Sequence, residues 1–423
     1  MAGVLLAFVF CYSITVGGAI PLLRSEVHSF FYLWYGEPSI DGAYKHWNHE
    51  VLPHWTAHVN EKFPQVGQRF EPPRLLHSPF YPLHGPYSSR DSTVVKRQID
   101  DMVRAGITVA VLSWWGQATK PYATDTQGVN TDRVMSEILR IFDEDGSRVK
   151  VAFHLEPYPG RSVSSVREDI EYLLSQYGHH VSLHRAVDGR PVMYVYDSYH
   201  LQPIDWARLL TPSGELSIRN TAMDAVMIGL WLQHEHGRDL KEAGFDGIYS
   251  YFASESFSYG SSTSNWRSMC QFCRKFELLC VLSVGPGYND SLIRPWNDHN
   301  SRARGTIPTN PGAGGAYYDA MWNRALDAGS DVVSITSFNE WGEGTQIEPA
   351  ATSTWGGTAM KNEADANMLD EPGSDRKTNQ EQKQEQGRQY LDYGDDPYLY
   401  LDLTRKWAEA LAARDTNTNR NDL

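Results

Sequence analysis

Eight short runs rich in β-branched and aromatic residues recur along the chain, at 29–35, 108–114, 150–155, 191–197, 225–231, 247–251, 278–284 and 331–338. Most are continuously apolar rather than alternating, the pattern of strands buried on both faces of a parallel sheet. Between them, apolar positions recur with helical spacing. The stretch 92–105 aligns Val94, Val95, Ile99, Met102 and Val103, and 131–145 aligns Val134, Ile138, Leu139 and Phe142. The stretches 164–177, 264–276 and 317–328 read the same way. Strand then helix, about eight times over, predicts an α/β fold, a (β/α)8 TIM barrel with long βα loops. A doubly wound open sheet is the alternative.

Three segments break this rhythm. Residues 1–27 begin with an apolar run and carry no charge before Arg24, so they predict a signal peptide or a short membrane anchor. Residues 40–91, after the first strand, hold Trp47, Trp55, Phe80, Tyr81 and Tyr87 and predict a structured cap over the barrel. Residues 351–389 run through an Asn-Gln-Glu-Gln-Lys-Gln-Glu-Gln tract, hold only Leu369 as a larger apolar side chain between Met368 and Gln389, and predict a disordered insert. The catalytic barrel is thus assigned to 28–350 and resumes at 390–414, closing with an amphipathic helix over 397–414. A disordered tail follows at 415–423.

Composition narrows the function. Lys and Arg number 38 against 52 Asp and Glu, a formal charge of −14, and no basic stripe stands out, which argues against a nucleic-acid partner. Aromatics are frequent, with 13 Trp, 23 Tyr and 15 Phe, and many sit beside polar groups. Of four cysteines, Cys11 lies in the leader, and Cys270, Cys273 and Cys280 read as small buried thiols or one local disulfide. The triplet Asn289-Asp290-Ser291 is a weak glycosylation signal.

In a barrel, chemistry belongs at the C-terminal strand ends. Those positions supply Trp34, Tyr35, Trp114, Trp115, His154, Glu156, Tyr158, Asp197, Trp231, Tyr251, Asn339, Glu340 and Glu343. Aromatics beside carboxylates, without a phosphate-cradling loop or a nucleophile elbow, suit a sugar-cleaving enzyme. Glu340 and Glu343 lie three apart in a glycine-containing loop, as an acetal-cleaving pair of carboxyls requires, with Glu348 the nearest competitor. His154 and Glu156 flank Leu155 and point the same way from a strand. His46, His49 and His54 lack an accompanying carboxylate set, so no metal is assigned and no cofactor is needed. Arg294 reads equally as a sugar clamp or as half of an ion pair.

Several motifs resemble one family in order along the chain. They are FYLWYG at 31–36, DGAYKHW at 41–47, YSSRD at 87–91, FHLEPY at 153–158 and YDSY at 196–199. AGFDG at 243–247, YFAS at 251–254, SVGPGY at 283–288, IRPWN at 293–297, TSFNEW at 336–341, EGTQIE at 343–348 and YLYLDLTR at 398–405 continue the series. Together they resemble the glycoprotein endo-α-1,2-mannosidases of glycoside hydrolase family 99. The resemblance implies a retaining enzyme that cuts an α-1,2-mannosidic bond inside glucosylated high-mannose N-glycans and releases a glucosyl-mannose unit in the Golgi. It implies that Glu340 acts as base on the mannose 2-hydroxyl, giving a 1,2-anhydro sugar, and that Glu343 is the acid and then the base. It also implies that Tyr35, His46, Trp115, His154, Glu156, Tyr158, Tyr251, Arg294 and Asn339 contact sugar. Some animal relatives carry Tyr where this chain has Trp115, which leaves glucose or mannose open at the outer sugar. The expected partner is a high-mannose glycan on a glycoprotein; the enzyme is expected to be a monomer and to meet a membrane only through its N-terminus. A mannan-type α-mannoside hydrolase and a non-catalytic glycan-binding relative are the alternatives.

Overall fold

The structure, a computed structural model, describes residues 23–307, 310–352 and 390–421. Most of the predicted leader and nearly all of the predicted insert lie outside the described residues. No helix among the described residues is long and apolar enough to cross a membrane.

The eight predicted strands are present. They are β1 Glu26–Phe31, β2 Val109–Trp114, β3 Lys150–Leu155, β4 Val192–Val195, β5 Val226–Leu230, β6 Gly247–Tyr249, β7 Leu279–Val284 and β8 Val332–Ile335. Each pairs in parallel with its sequence neighbours, and β8 returns to β1 with Val27 opposite Val333, so the sheet closes into a barrel. The open-sheet alternative is therefore excluded. β1 begins and ends earlier than the pattern suggested, because Tyr32 to Tyr35 already belong to the loop over the barrel mouth.

The surrounding helices are α1 Ser92–Ala105, α2 Asp132–Glu144, α3 Val163–Tyr177, α4 Pro203–Leu210, α5 His236–Ala243, α6 Trp266–Lys275, α7 Ala316–Ala328 and α8 Leu399–Asn421. Each end has a local cause. Asp91 caps α1 by accepting from the Thr93 N–H, Ser162 and Ser165 form a capping box on α3, and α1 stops at Gly106 in the left-handed region. Helices α4 and α5 span only two turns, too short for a clear period. The closing helix α8 continues past 414, where the apolar pattern ends. It packs on α1, and Arg104 meets Asp402 through two 2.9 Å bonds, completing the ring.

The barrel interior is unusually aromatic. Phe30 sits among His154, Tyr194, Tyr249 and Tyr251, with ring centroids 4.7 to 5.7 Å away. At the floor, His28 Nε2 and His184 Nε2 lie 2.8 and 2.9 Å from Glu26 Oε2. Of the three non-leader cysteines, Cys270 on α6 and Cys280 on β7 form a disulfide, and Cys273 is a buried thiol.

Candidate active site

The C-terminal rim is organised by the loop after β8. Its backbone doubles back: Ser337 N–H donates to Thr345 O at 2.9 Å, Ile347 N–H to Ser337 O at 3.0 Å and Glu348 N–H to Phe338 O at 2.9 Å. Glycine is needed at two points. A Cβ on Gly342 would stand 2.7 Å from His77, and Gly344 takes φ +60 against Pro79 and the Asn289 backbone. This turn carries Glu340 and Glu343.

Glu340 is buried, and its Oε1 accepts from the Gly342 N–H at 2.9 Å while its own N–H donates to Ser337 Oγ at 2.8 Å. Burial, and then the charge of Glu343, push its pKa well above the usual carboxylate range. The Glu343 side chain keeps 23% exposure, so it faces the cleft. Burial raises its pKa also, Arg294 opposes that shift, and Asp290 adds to it. Arg294 Nη1 bridges Glu343 at 2.9 Å and Asp290 at 3.1 Å. Of the two sequence readings of Arg294, the structure shows the ion pair, with Glu343 and Asp290 as its partners.

Glu348 is a different kind of group. Tyr87 OH and Trp341 Nε1 donate to its Oε2 at 2.7 and 2.9 Å, and Gln98 Nε2 donates to its Oε1 at 2.7 Å. Both oxygens are occupied within the fold, so it braces the loop.

The other predicted residues fall into three groups. His154 and Glu156 do share a face: His154 Nδ1 is 2.9 Å from Glu156 Oε1, which also accepts from Ser113 Oγ at 2.8 Å. His154 Nε2 meets Tyr249 OH at 2.8 Å, and its ring stacks on Tyr251, whose hydroxyl is 2.5 Å from that of Tyr32. Adjoining this group through Tyr32, Trp34 is sandwiched between Tyr32 at 4.4 Å and His46 at 4.1 Å. His46 Nε2 lies 3.1 Å from Asp125, while His46 Nδ1, Trp34 Nε1 and Trp115 Nε1 are buried without a partner among the described residues. Such unmade bonds are costly in a core and suit a site built to receive hydroxyls.

The last group has its polar atoms bonded within the fold. Tyr35 OH donates to Asn339 O at 2.8 Å and accepts from the Trp341 N–H at 3.2 Å, beneath the loop. Asn339 spends its amide on the Tyr32 backbone at 2.8 and 3.0 Å and on Tyr87 OH at 3.2 Å. Tyr158 OH is bound to Asp169 on α3 at 2.5 Å. The structure gives these three positioning contacts and does not aim their polar atoms at Glu340 or Glu343.

Sequence reasoning missed Asp290 as a site residue, having met it only inside the Asn289 triplet. It is fully buried and gathers Arg294, Tyr288 OH at 2.9 Å and Asn297 Nδ2 at 2.9 Å. The only signal was an acid four residues before Arg294, which ordinary surface ion pairs also show.

A paired-glutamate turn at a barrel rim can cleave a glycosidic bond, and sequence comparison decides which lineage built it. The profile described as "Glycosyl hydrolase family 99" matches residues 22–365. This chain belongs to glycosyl hydrolase family 99. It is a glycoside hydrolase. Among its family relatives, a Homo sapiens protein named "Glycoprotein endo-alpha-1,2-mannosidase-like protein" is 41% identical over 390 residues, covering 91% of this chain and 75% of the relative. The Mus musculus "Glycoprotein endo-alpha-1,2-mannosidase" is 40% identical over 395 residues, covering 92% and 76%. A solved family 99 structure, the endo-alpha-mannosidase from Bacteroides thetaiotaomicron, superposes with a TM-score of 0.73 at 34% identity, covering 92% of this chain and 98% of that one.

Proposed function

We propose that the enzyme is a retaining endo-α-1,2-mannosidase acting on glucosylated high-mannose N-glycans and releasing a glucosyl-mannose disaccharide. The observation that carries this reading is the Glu340–Glu343 turn with Arg294 and Asp290 at its leaving side, in a family 99 barrel whose named relatives are endo-α-mannosidases.

In the proposed mechanism, Glu340 takes the proton of the mannose 2-hydroxyl and that oxygen closes on C1. The C1–O bond to the leaving mannose breaks, and Glu343 protonates the departing oxygen. Glu343 then removes a proton from water, which opens the 1,2-anhydro ring at C1 as Glu340 returns a proton to O2. In mannose the 2-hydroxyl is axial, opposite an axial leaving group, so attack within one sugar gains the advantage of proximity. Glu343 must begin protonated and Glu340 ionised. Burial raises both carboxyls, and Arg294 favours the charged form of each, Glu343 being the one it bonds directly. The pair therefore titrates as a unit, and sugar binding must settle its proton on Glu343.

The same reading places the enzyme in the secretory pathway, in the Golgi lumen, as a monomer tethered or delivered by its N-terminal segment. The Cys270–Cys280 bridge supports an oxidising compartment. Incubation with monoglucosylated and non-glucosylated high-mannose glycans, with mass measurement of the fragment, tests the specificity. A hexose disaccharide from the glucosylated glycan is expected, and the relative release from the two glycans resolves the outer-sugar choice at Trp115. Release from mannan alone would favour the mannan-type reading, and release from neither would favour a glycan-binding protein.

A further inference from the structure

Trp55 stands out from every other tryptophan among the described residues. The predicted cap is packed around Trp47, which is fully buried, but Trp55 is 81% exposed. Its ring is nonetheless held in place. His54 lies against it with centroids 3.7 Å apart, and Trp296 meets it edge-on at 5.2 Å and 79°. Trp296 is fixed in turn, since its Nε1 donates to Leu52 O at 3.2 Å, and the Leu52 N–H donates to Ile293 O at 2.7 Å. The cap segment at 52–55 and the loop after β7 are thus stitched together into a small aromatic shelf.

The position of the shelf gives it a meaning. Trp296 follows Arg294 by two residues, and Arg294 holds Glu343. Two residues of extended chain span about 7 Å, so the shelf sits within a few sugar widths of Glu343. Trp115, at the end of β2, is on the far side of β1 and β8 from this loop. The acid of a glycosidase stands on the leaving-group side of the bond it cleaves. With Trp115 on the outer-sugar side, as the family resemblance implies, a glycan crossing Glu340 and Glu343 would leave over Trp296 and Trp55. A fixed, water-exposed indole face at that point is what the apolar face of a pyranose ring stacks on, at little entropic cost.

We propose that Trp55, with His54 and Trp296, forms an outlying sugar-binding platform for the leaving-side mannoses of the glycan. The proposal rests on the assignment of Glu343 as the acid. It makes Trp55 a determinant of preference for long branched substrates over short ones.

The test compares Trp55→Ala with wild type on two substrates of the same cleaved unit, one an intact high-mannose glycan and one a short aryl glycoside lacking the leaving-side mannoses. The expected result is a rise in KM of about tenfold on the glycan, well above that on the aryl glycoside, with kcat little changed. Trp55→Phe should recover most of the affinity, because it keeps a ring. Equal effects on both substrates, or none on the glycan, overturn the platform while leaving the cleavage assignment intact. Titration of the protein with free α-linked mannotriose, followed by calorimetry, reads the platform independently of turnover. Weaker binding to Trp55→Ala supports it even if the glycan assay gives no product, and unchanged binding refutes it.

Discussion

Glu343 and Glu340 are chemically alike, and their surroundings separate their roles. Glu343 keeps about a quarter of its side chain exposed and is anchored by Arg294, whereas Glu340 is buried and held by the backbone of its own turn. Glu343→Gln keeps the shape and hydrogen bonding of the side chain but cannot donate and recover a proton. Its kcat on the glycan should fall by about 10²–10⁴-fold, with glycan binding within a few-fold of wild type. Turnover near wild type would sink the acid assignment. Arg294 gives a sharper, signed check. It favours the charged form of Glu343, so Arg294→Met should raise the pKa of the acid and move the alkaline limb of kcat/KM to higher pH. A limb that moves down, or stays put, would place the proton elsewhere. The sequence exposed this pair well, because two glutamates three apart after a strand have a recognisable pattern. It did not expose Asp290, whose role depends on a loop folding over Arg294, nor the inward turn of Asn339, whose type is equally common in both settings.

At the level of elements, the catalytic turn is only as good as its brace. Glu348 collects three donors, from Tyr87 in the cap, Gln98 in α1 and Trp341 in the turn itself. It ties two separate elements, the cap and α1, to the loop after β8 and braces that loop on itself. Glu348→Gln puts an N–H against at least one of those buried donors, a mismatch that costs about 1–3 kcal/mol. The expected outcome is a lower melting temperature together with a loss of kcat, because the turn carrying Glu340 and Glu343 loosens. A variant that melts like wild type yet loses activity would instead give Glu348 a direct part in the chemistry. Elements of this length were legible from pattern. The eight strands appear as apolar runs because both their faces are covered, and α1, α2, α3, α6 and α7 show enough turns to reveal a stripe. The two-turn α4 and α5 do not. The exposure of Trp55 was equally hidden, since nothing local separates a buried cap tryptophan from an exposed one.

For the whole molecule, buried ionisable groups pull stability in opposite directions with pH. On one side stand carboxyls whose pKa is raised by burial: Glu340, Glu343, Glu348, and Asp101, which is pushed to about 7. The unfolded chain releases these protons above about pH 4, while the folded protein retains them. Their contribution is therefore lost as pH rises toward the folded values. On the other side stand His28 and His49, lowered by burial, the latter to about 3, and Glu26. Burial pushes Glu26 up, but hydrogen bonds from His184 and His28 overcome it and bring it to about 2. The unfolded histidines take up protons below about pH 6.5 and the unfolded glutamate below about pH 4, so this contribution is lost on acidification. Above about pH 6.5 only the raised carboxyls still act, and below about pH 4 only the histidines and Glu26. Thermal stability should therefore peak in mildly acidic solution and decline on both sides. The catalytic pair contributes to the alkaline decline beside Asp101 and Glu348, so Glu340→Gln with Glu343→Gln should make it shallower and raise the melting temperature most at alkaline pH. Scanning calorimetry of both proteins across pH decides the matter. A wild-type melting temperature that climbs steadily above neutrality, or a double variant with an unchanged slope, would mean that the two glutamates are already ionised in the folded cleft.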